Sequence, residues 1–260
     1  MINNEQSKKS ILNLLGPKKS FFFGLLVAIF LAVTTGFVIS TSILLSDDSS
    51  GSVASAKTEV DENTIPTEPT LPSEGAISIK PVTDEDHVKG DLNKAEVVLV
   101  EFSDLECPFC KRFHPTMQQV VDDYDGKVAW VYRHFPLESL HSKARNEAEA
   151  SECAAELGGN DGFWEFVDAL FEVTPSNNGL RPEQLPEIAA DIGLDRSEFE
   201  SCLDSGKYTD KVNEHLADAN AAGGTGTPYS VLIDKDGNTV PVSGALPVDQ
   251  IKSAIDTLMQ

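Results

Sequence analysis

Basic residues are scarce in this chain: 20 Lys and Arg stand against 42 Asp and Glu, a formal net charge of -22. The imbalance is uneven. Residues 1–20 hold Lys8, Lys9, Lys18 and Lys19 against Glu5, a local charge of +3, so everything after them carries -25. A surface of that sign repels phosphate backbones, which excludes nucleic acid as a partner and otherwise favours solubility. Cysteine is scarce too, with only Cys107, Cys110, Cys153 and Cys202. No second Cys-x-x-Cys or His pair completes a tetrahedral zinc site. The five histidines (His87, His114, His134, His141, His215) fall at no ligand spacing, so no metal is expected. A Gly-rich phosphate loop is also missing. Gly223-Gly224-Thr225-Gly226 reads instead as a flexible approach to Pro228, and no cofactor is expected. Internal repeats are absent. At 260 residues and 40% hydrophobic, the chain has room for one good-sized domain plus added segments, or for two small ones.

What is present begins with a long apolar run. From Phe21 to Leu45 no residue is charged. At 1.5 Å per residue a helix of that length is roughly 37 Å long, enough to cross a hydrocarbon core of about 30 Å with some tilt. Lysines precede the run, and Asp47 and Asp48 follow it. The positive-inside rule then places residues 1–20 in the cytoplasm and the rest outside. A cleavable signal peptide is the alternative, with Ala54-Ser55-Ala56 as a small-residue site. The apolar run is longer than a normal signal core and ends well before that site, which favours a retained anchor over 21–45. Residues 46–76 are rich in Ser, Thr, Asp, Glu and Pro and cannot bury enough surface to offset chain entropy. They read as a disordered linker.

The remainder, 77–260, carries the folded part. Val97-Val98-Leu99-Val100 is a buried-type strand running into Glu101-Phe102-Ser103. Phe113, Met117, Val120, Val121 and Tyr124 recur at helical spacing, giving an amphipathic helix from near Cys107 to Asp125-Gly126. A second strand spans Val128 to Phe135 and stops at Pro136. The stretch from about 138 to 222 is helical. Ala150, Cys153, Ala154 and Leu157 share one face, with Gly158-Gly159 closing that helix. Phe163, Val167, Leu170 and Phe171 make a second stripe, and Leu185, Ile188 and Ile192 a third. Asp195 and Glu198 resemble a capping box opening a helix that buries Phe199, Cys202 and Leu203. Tyr229 to Ile233 and Thr239 to Val242 flank Asp234-Lys235-Asp236-Gly237-Asn238, a hairpin turn, and a helix closes the chain over about Val248 to Leu258. Strand, helix, strand, helical block, hairpin and helix add up to a mixed α/β fold with a helical insertion.

The chemistry centres on Cys107-Pro108-Phe109-Cys110. A lone Cys-x-x-Cys could be half a zinc site, but here it follows a buried strand and opens a helix. Free backbone N–H groups and the helix dipole stabilise a thiolate at that position. Lys111 and Arg112 follow at once and would favour a nearby anion. Redox chemistry is therefore expected. His114, one turn after Cys110, reads as a solvated helix position.

The run from Val100 through Cys107-Pro108-Phe109-Cys110 to Phe113 resembles the DsbA-like branch of the thioredoxin superfamily. The likeness extends through Arg133-His134-Phe135-Pro136-Leu137, the insertion and Gly226-Thr227-Pro228-Tyr229, covering about residues 84–260. It implies a thioredoxin-like fold and a protein thiol–disulfide oxidoreductase. Cys107 would be the nucleophile, Cys110 the resolving thiol, and Thr227-Pro228 the cis-proline loop that presents backbone to the substrate. Glu101 matches a buried acid near the resolving cysteine, with an ordinary edge carboxylate as the alternative. Pro115 matches a helix-kinking proline. The branch's strongly oxidising members place His next to the resolving cysteine, where this chain has Phe109, so the direction of electron flow is open. A structural Cys153–Cys202 disulfide fits an oxidising compartment and a second bridge seen in some such proteins; two free buried thiols are the alternative. Implied partners are exported polypeptides, unfolded or partly folded, and a membrane redox partner that resets the pair. An oxidase is expected first, with a reductase or isomerase on the same fold as the alternative. A redox-inactive peptide-binding or chaperone module is opposed by the intact Cys107, Cys110 and Pro228. Isomerases of this kind dimerise through an added domain that is not visible here, so a monomer is expected, anchored in the cell membrane with its catalytic domain outside.

Overall fold

The computed structural model describes residues 77–260. The anchor expected over 21–45 and the linker over 46–76 lie outside the described residues. Among the described residues no helix is long and apolar enough to cross a membrane.

Strand β1 (His87–Lys89) leads into β2 (Val97–Ser103), helix α1 (Pro108–Asp123) and β3 (Val128–His134). The helical block follows: α2 (Ala144–Val173), a 3-10 turn (Pro182–Gln184), α3 (Leu185–Asp191), α4 (Arg196–Ser205) and α5 (Thr209–Ala221). The hairpin β4 (Tyr229–Asp234) and β5 (Thr239–Ser243) and helix α6 (Val248–Leu258) complete the chain. The five strands form one sheet in the order β1-β3-β2-β4-β5. β2 pairs parallel with β3 and antiparallel with β4, so the strand leading into the cysteine pair is central. A central strand is covered on both faces, which is why Val97-Val98-Leu99-Val100 reads as continuous rather than alternating.

The period of two along β2 still sorts its side chains. Val97 and Leu99 join the cluster under α1, α2 and α6, while Val100 and Phe102 join the opposite cluster with Ala219 and Ala222 of α5 and the turn after it. Glu101 shares the parity of Val97 and Leu99 and therefore projects toward the α1 face. Its neighbours on β3, Trp130 and Tyr132, lie on that same face. On the far side, buried Arg133 donates to Asp86 at 2.8 Å and to Asp218 at 2.6 Å, tying the N-terminal segment and α5 to the sheet.

Several expected boundaries shift. The first insertion helix does not simply close at Gly158-Gly159: Gly159 (φ 67, ψ -160) kinks the run, and helix resumes directly through Val173. Asp195 caps α4 by accepting Glu198 N–H at 2.9 Å. The three-residue β1 carries no periodic signal, being too short to show one, and α5 has no separate stripe in the sequence reading. Cys153 of α2 and Cys202 of α4 are joined by a disulfide.

Candidate active site

The loop between β2 and α1 builds the site. Cys107 is the N-cap of α1, with extended backbone (φ -78, ψ 123). Its N–H donates to the Asp104 carbonyl at 3.0 Å, and its own carbonyl takes the first helical bond, from Lys111 N–H, at 3.0 Å. Pro108 at N1 suits a position whose N–H has no helical partner. Cys107 and Cys110 are free thiols. Cys110 is one turn down and fully buried, its Sγ accepting from Asp104 N–H at 3.5 Å. Facing them is the peptide bond Thr227–Pro228, which is cis, and the Cys107 thiol donates to the Thr227 carbonyl at 3.5 Å. Gly224 lets that loop close tightly: a Cβ there would lie 3.0 Å from the Ala219 carbonyl. The Tyr229 hydroxyl holds the loop's base by donating to the Ala222 carbonyl at 2.6 Å.

The two thiols are electrostatically unlike. A hydrogen bond from Cys110 lowers the Cys107 pKa to about 6; burial opposes, while Thr227 and the N–H groups of Cys110 and Phe109 assist. Burial raises Cys110 well above an ordinary thiol, and the neighbouring Cys107 and Glu101 charges raise it further. Glu101 is fully buried and not an edge carboxylate. Burial pushes its pKa to about 7, with the Cys107 charge adding to the rise. Ser103 and Trp130 oppose that rise, although Glu101 Oε2 has no partner at full hydrogen-bond geometry. A carboxyl that titrates near neutrality beside a resolving thiol can accept or return its proton.

The basic pair after the motif does not do what its position suggests. Lys111 Nζ donates to the Thr174 carbonyl at 2.6 Å and so points to the end of α2, and Arg112 lies over the Phe109 ring at 5.0 Å. His114 is a second correction. It is buried rather than solvated, bonded to Asp168 at 2.5 Å and packed against Trp130 and Phe171. Position on a helix fixes only which face a residue is on, and here α2 covers that face.

Three further acids escaped the sequence. Asp104 Oδ1 accepts Glu106 N–H at 2.8 Å, and Oδ2 accepts Leu137 N–H and His141 Nδ1, each at 2.8 Å. Burial raises the Asp104 pKa, with those bonds opposing. Glu106 takes the Asn178 N–H, and its carbonyl takes Asn177 N–H at 2.8 Å. Ser176, Asn177 and Asn178 all have positive φ, the strained loop that lets both amides reach it. Glu147 of α2 faces Glu106. Glu106 Oε1 and Glu147 Oε2 are both buried with no donor, so a single proton between the carboxyls satisfies them. Burial, then Glu106, raises Glu147 from 4.5 to about 10. The folded state therefore binds a proton that the unfolded state releases. That stability is complete below 4.5 and is lost as pH rises toward 10. Glu147→Gln keeps a donor to Glu106 without the proton. It is expected to leave acid stability little changed and to add about 2 kcal/mol, some 4–8 °C in Tm, at mildly alkaline pH. Parallel Tm–pH profiles for the two proteins would rule out the shared proton.

A second constellation lies off the cysteine pair. His134, Glu152 and His215 offer ligand atoms within 4.8 Å of one another, although their sequence spacing suggests nothing. The cluster has a cation already: Lys211 Nζ donates to Glu152 Oε2 at 2.7 Å, while His87 and His134 hold Oε1 at 2.9 Å each. Burial and the neighbouring positive charge keep His134 neutral, and the two histidines hold Glu152 ionised against its own burial. This is a buried ion-pair hub rather than a metal centre.

A family model described as thioredoxin matches residues 82–257. The chain is similar to DsbA2 of Pseudomonas aeruginosa, 32% identical, with 69% of this chain and 97% of that one covered at a TM-score of 0.58. It is similar also to BdbD of Bacillus subtilis, 25% identical, covering 72% and 99% at a TM-score of 0.60. A curated relative is named as an Na(+)/H(+) antiporter, NhaA 3 of Salinispora tropica, 39% identical over 153 residues, 58% of this chain but 20% of the antiporter. The chain thus spans about a fifth of that relative's length, and ion transport is a property of that protein. The chain belongs to the thioredoxin family, and its fold is that of the DsbA-like thiol–disulfide oxidoreductases.

Proposed function

We propose that this domain oxidises exported polypeptides outside the cytoplasm, with residues 21–45 anchoring it in the membrane. The observation that carries the reading is the asymmetry of the thiols: Cys107 is lowered to about 6 at a helix N-terminus, and Cys110 is buried and raised. A substrate thiolate attacks Cys107 Sγ of the oxidised pair, forming a mixed disulfide and expelling Cys110 sulfur, which takes up a proton. A second substrate thiolate attacks the substrate sulfur of that mixed disulfide and expels the Cys107 thiolate. Two electrons pass from the substrate dithiol to the pair. Of the two substrate protons, one ends on Cys110 and one in solvent. A quinone-linked or disulfide-bearing membrane partner would then re-oxidise the pair.

Polypeptide substrates fit the surface around the pair. Phe109 is 52% exposed, Leu140 67% and Val173 51%. Leu140 joins the Asn178 loop through its carbonyl, and Val173 lies between the carbonyls that Lys111 binds. Three exposed apolar side chains on three elements suit extended, unfolded chain.

One observation favours the reverse direction. Phe109 has no donor for the thiolate, which leaves the reduced form less stabilised. Equilibration with glutathione decides: a potential above the glutathione couple supports an oxidase, and one near the roughly -270 mV of thioredoxin supports a reductase. Phe109→His should raise the potential by about 30 mV for each tenfold shift in the equilibrium constant. An unchanged potential would remove Phe109 from the account.

A further inference from the structure

Asp104 joins the two cysteines to a residue far along the chain. Its carbonyl accepts Cys107 N–H at 3.0 Å, and its N–H donates to Cys110 Sγ at 3.5 Å. Its carboxylate receives His141 Nδ1 at 2.8 Å. Both side chains are buried, Asp104 completely and His141 at 7% side-chain exposure. Among the described residues His141 is the one side chain paired with this carboxylate; its other donors are the backbone N–H groups of Glu106 and Leu137.

Each nearby cation is committed elsewhere. Lys111 binds the Thr174 carbonyl, and Lys143 of the segment before α2 binds the Asn178 and Leu180 carbonyls. The remaining groups on this side are anionic or neutral: Cys107 on α1, Glu106 on the loop, Glu147 on α2 and Asn177 on the loop after α2. A buried carboxylate and a thiolate on one short loop with no positive charge near them disfavour each other, and a neutral imidazole would leave that repulsion in place.

We infer that Asp104, which bonds Cys107 through its backbone and His141 through its carboxylate, holds His141 as an imidazolium across from the pair, where His141 serves as a positioning residue that stabilises the Cys107 thiolate and raises the potential of the pair. The inference deepens the proposed function and rests on Cys107 being the reactive thiolate. Reduction adds two electrons and one proton to the disulfide, leaving Cys107 as thiolate and Cys110 as thiol. The new negative charge acts on the imidazolium, while in the disulfide no charge is there. The shift of His141 itself agrees: burial lowers its pKa, but Asp104 and the Cys107 charge outweigh that and raise it. The loop after β3 thus supplies the cation that Phe109 cannot.

Coupling of this kind is reciprocal, which provides a test without mutation. Proton NMR titration of His141 in the intact protein should give a pKa about one unit higher in the reduced than in the oxidised state. His141→Gln should raise the Cys107 pKa, read from thiolate absorbance, by the same unit. It should also cut the equilibrium constant with glutathione about tenfold, or about 30 mV. A histidine that only packs would titrate identically in both redox states, and that result overturns the proposal. If the reduced wild type shows no thiolate below neutral pH, the nucleophile assignment itself fails, which the absorbance reads separately.

Discussion

Replacing Cys110 with Ser is expected to abolish dithiol oxidation, since the disulfide that takes the substrate's two electrons can no longer form, and to leave a trap: the Cys107 thiolate attacks a disulfide of an oxidised polypeptide, expels one of its thiolates and holds the chain as a mixed disulfide. In the wild type the Cys110 sulfur sits one helical turn from Cys107, and both sulfurs are fixed by the Asp104 and Thr227 backbone. An intramolecular thiol so placed acts at an effective concentration of molar order or far above. With Ser at 110 that thiol no longer expels the polypeptide from the adduct, and escape through outside thiols at about millimolar levels should be at least about a thousandfold slower. The adduct should run as a higher-mass band on non-reducing gels and map to Cys107. Cys107→Ser should give no adduct at all, because Cys110 is fully buried and its pKa is driven up by burial and by its neighbour. Adducts formed through Cys110 in that second variant would reverse the two roles.

The contrast between those cysteines is partly written in the local sequence and partly not. A Cys-x-x-Cys after a buried strand already implies a helix N-terminus, because the strand pattern and the helical spacing of Phe113, Met117 and Val120 meet at Cys107. The buried place of Glu101 is implied only by the family resemblance, and the register of β2 then sets it beneath α1. The hairpin at Asp234 to Asn238 is equally local: the Asp234 carboxylate accepts both Asp236 and Asn238 N–H, with Gly237 at φ 85. What stays hidden are side chains whose meaning depends on a distant partner. Asp104 meets His141 37 residues on, and Glu106 meets Asn178 72 residues on. Lys111 looks like a cation for the thiolate until the end of α2, 63 residues away, takes it. His114 looks solvated until Asp168 and the aromatic rings of the insertion cover it. In each case residue type was readable and the partner was not, because the insertion folds back over the β2–α1 loop and no periodicity encodes that return.

The insertion depends in turn on the second cysteine pair, and removing it should produce the largest loss of stability. Helix α4 buries only two residues, Phe199 and Cys202. Phe199 packs on Phe166 of α2 at 5.5 Å between ring centroids, and Cys202 is bonded to Cys153 of the same helix. One of its two buried anchors is therefore covalent. The bridge spans 49 residues of chain. On the chain-entropy account, closing a loop of that size stabilises the folded state by about 4 kcal/mol. Ser at both positions also places two hydroxyls where buried sulfur stood, and each must find a partner or add to the loss. The double variant should unfold about 8–16 °C lower. Its Cys107 should keep the low pKa, since the groups that set it lie on the β2–α1 loop, α1, the Thr227 loop and the loop after β3 that carries His141, none of which the bridge joins. Hydrogen exchange should locate the damage, with protection lost first in α3 and α4 and last in β2 and β3. A Tm within about 2 °C of the wild type would show that Phe199 and its neighbours hold α4 alone; a uniform loss of protection would show instead that the insertion and the sheet unfold as one unit.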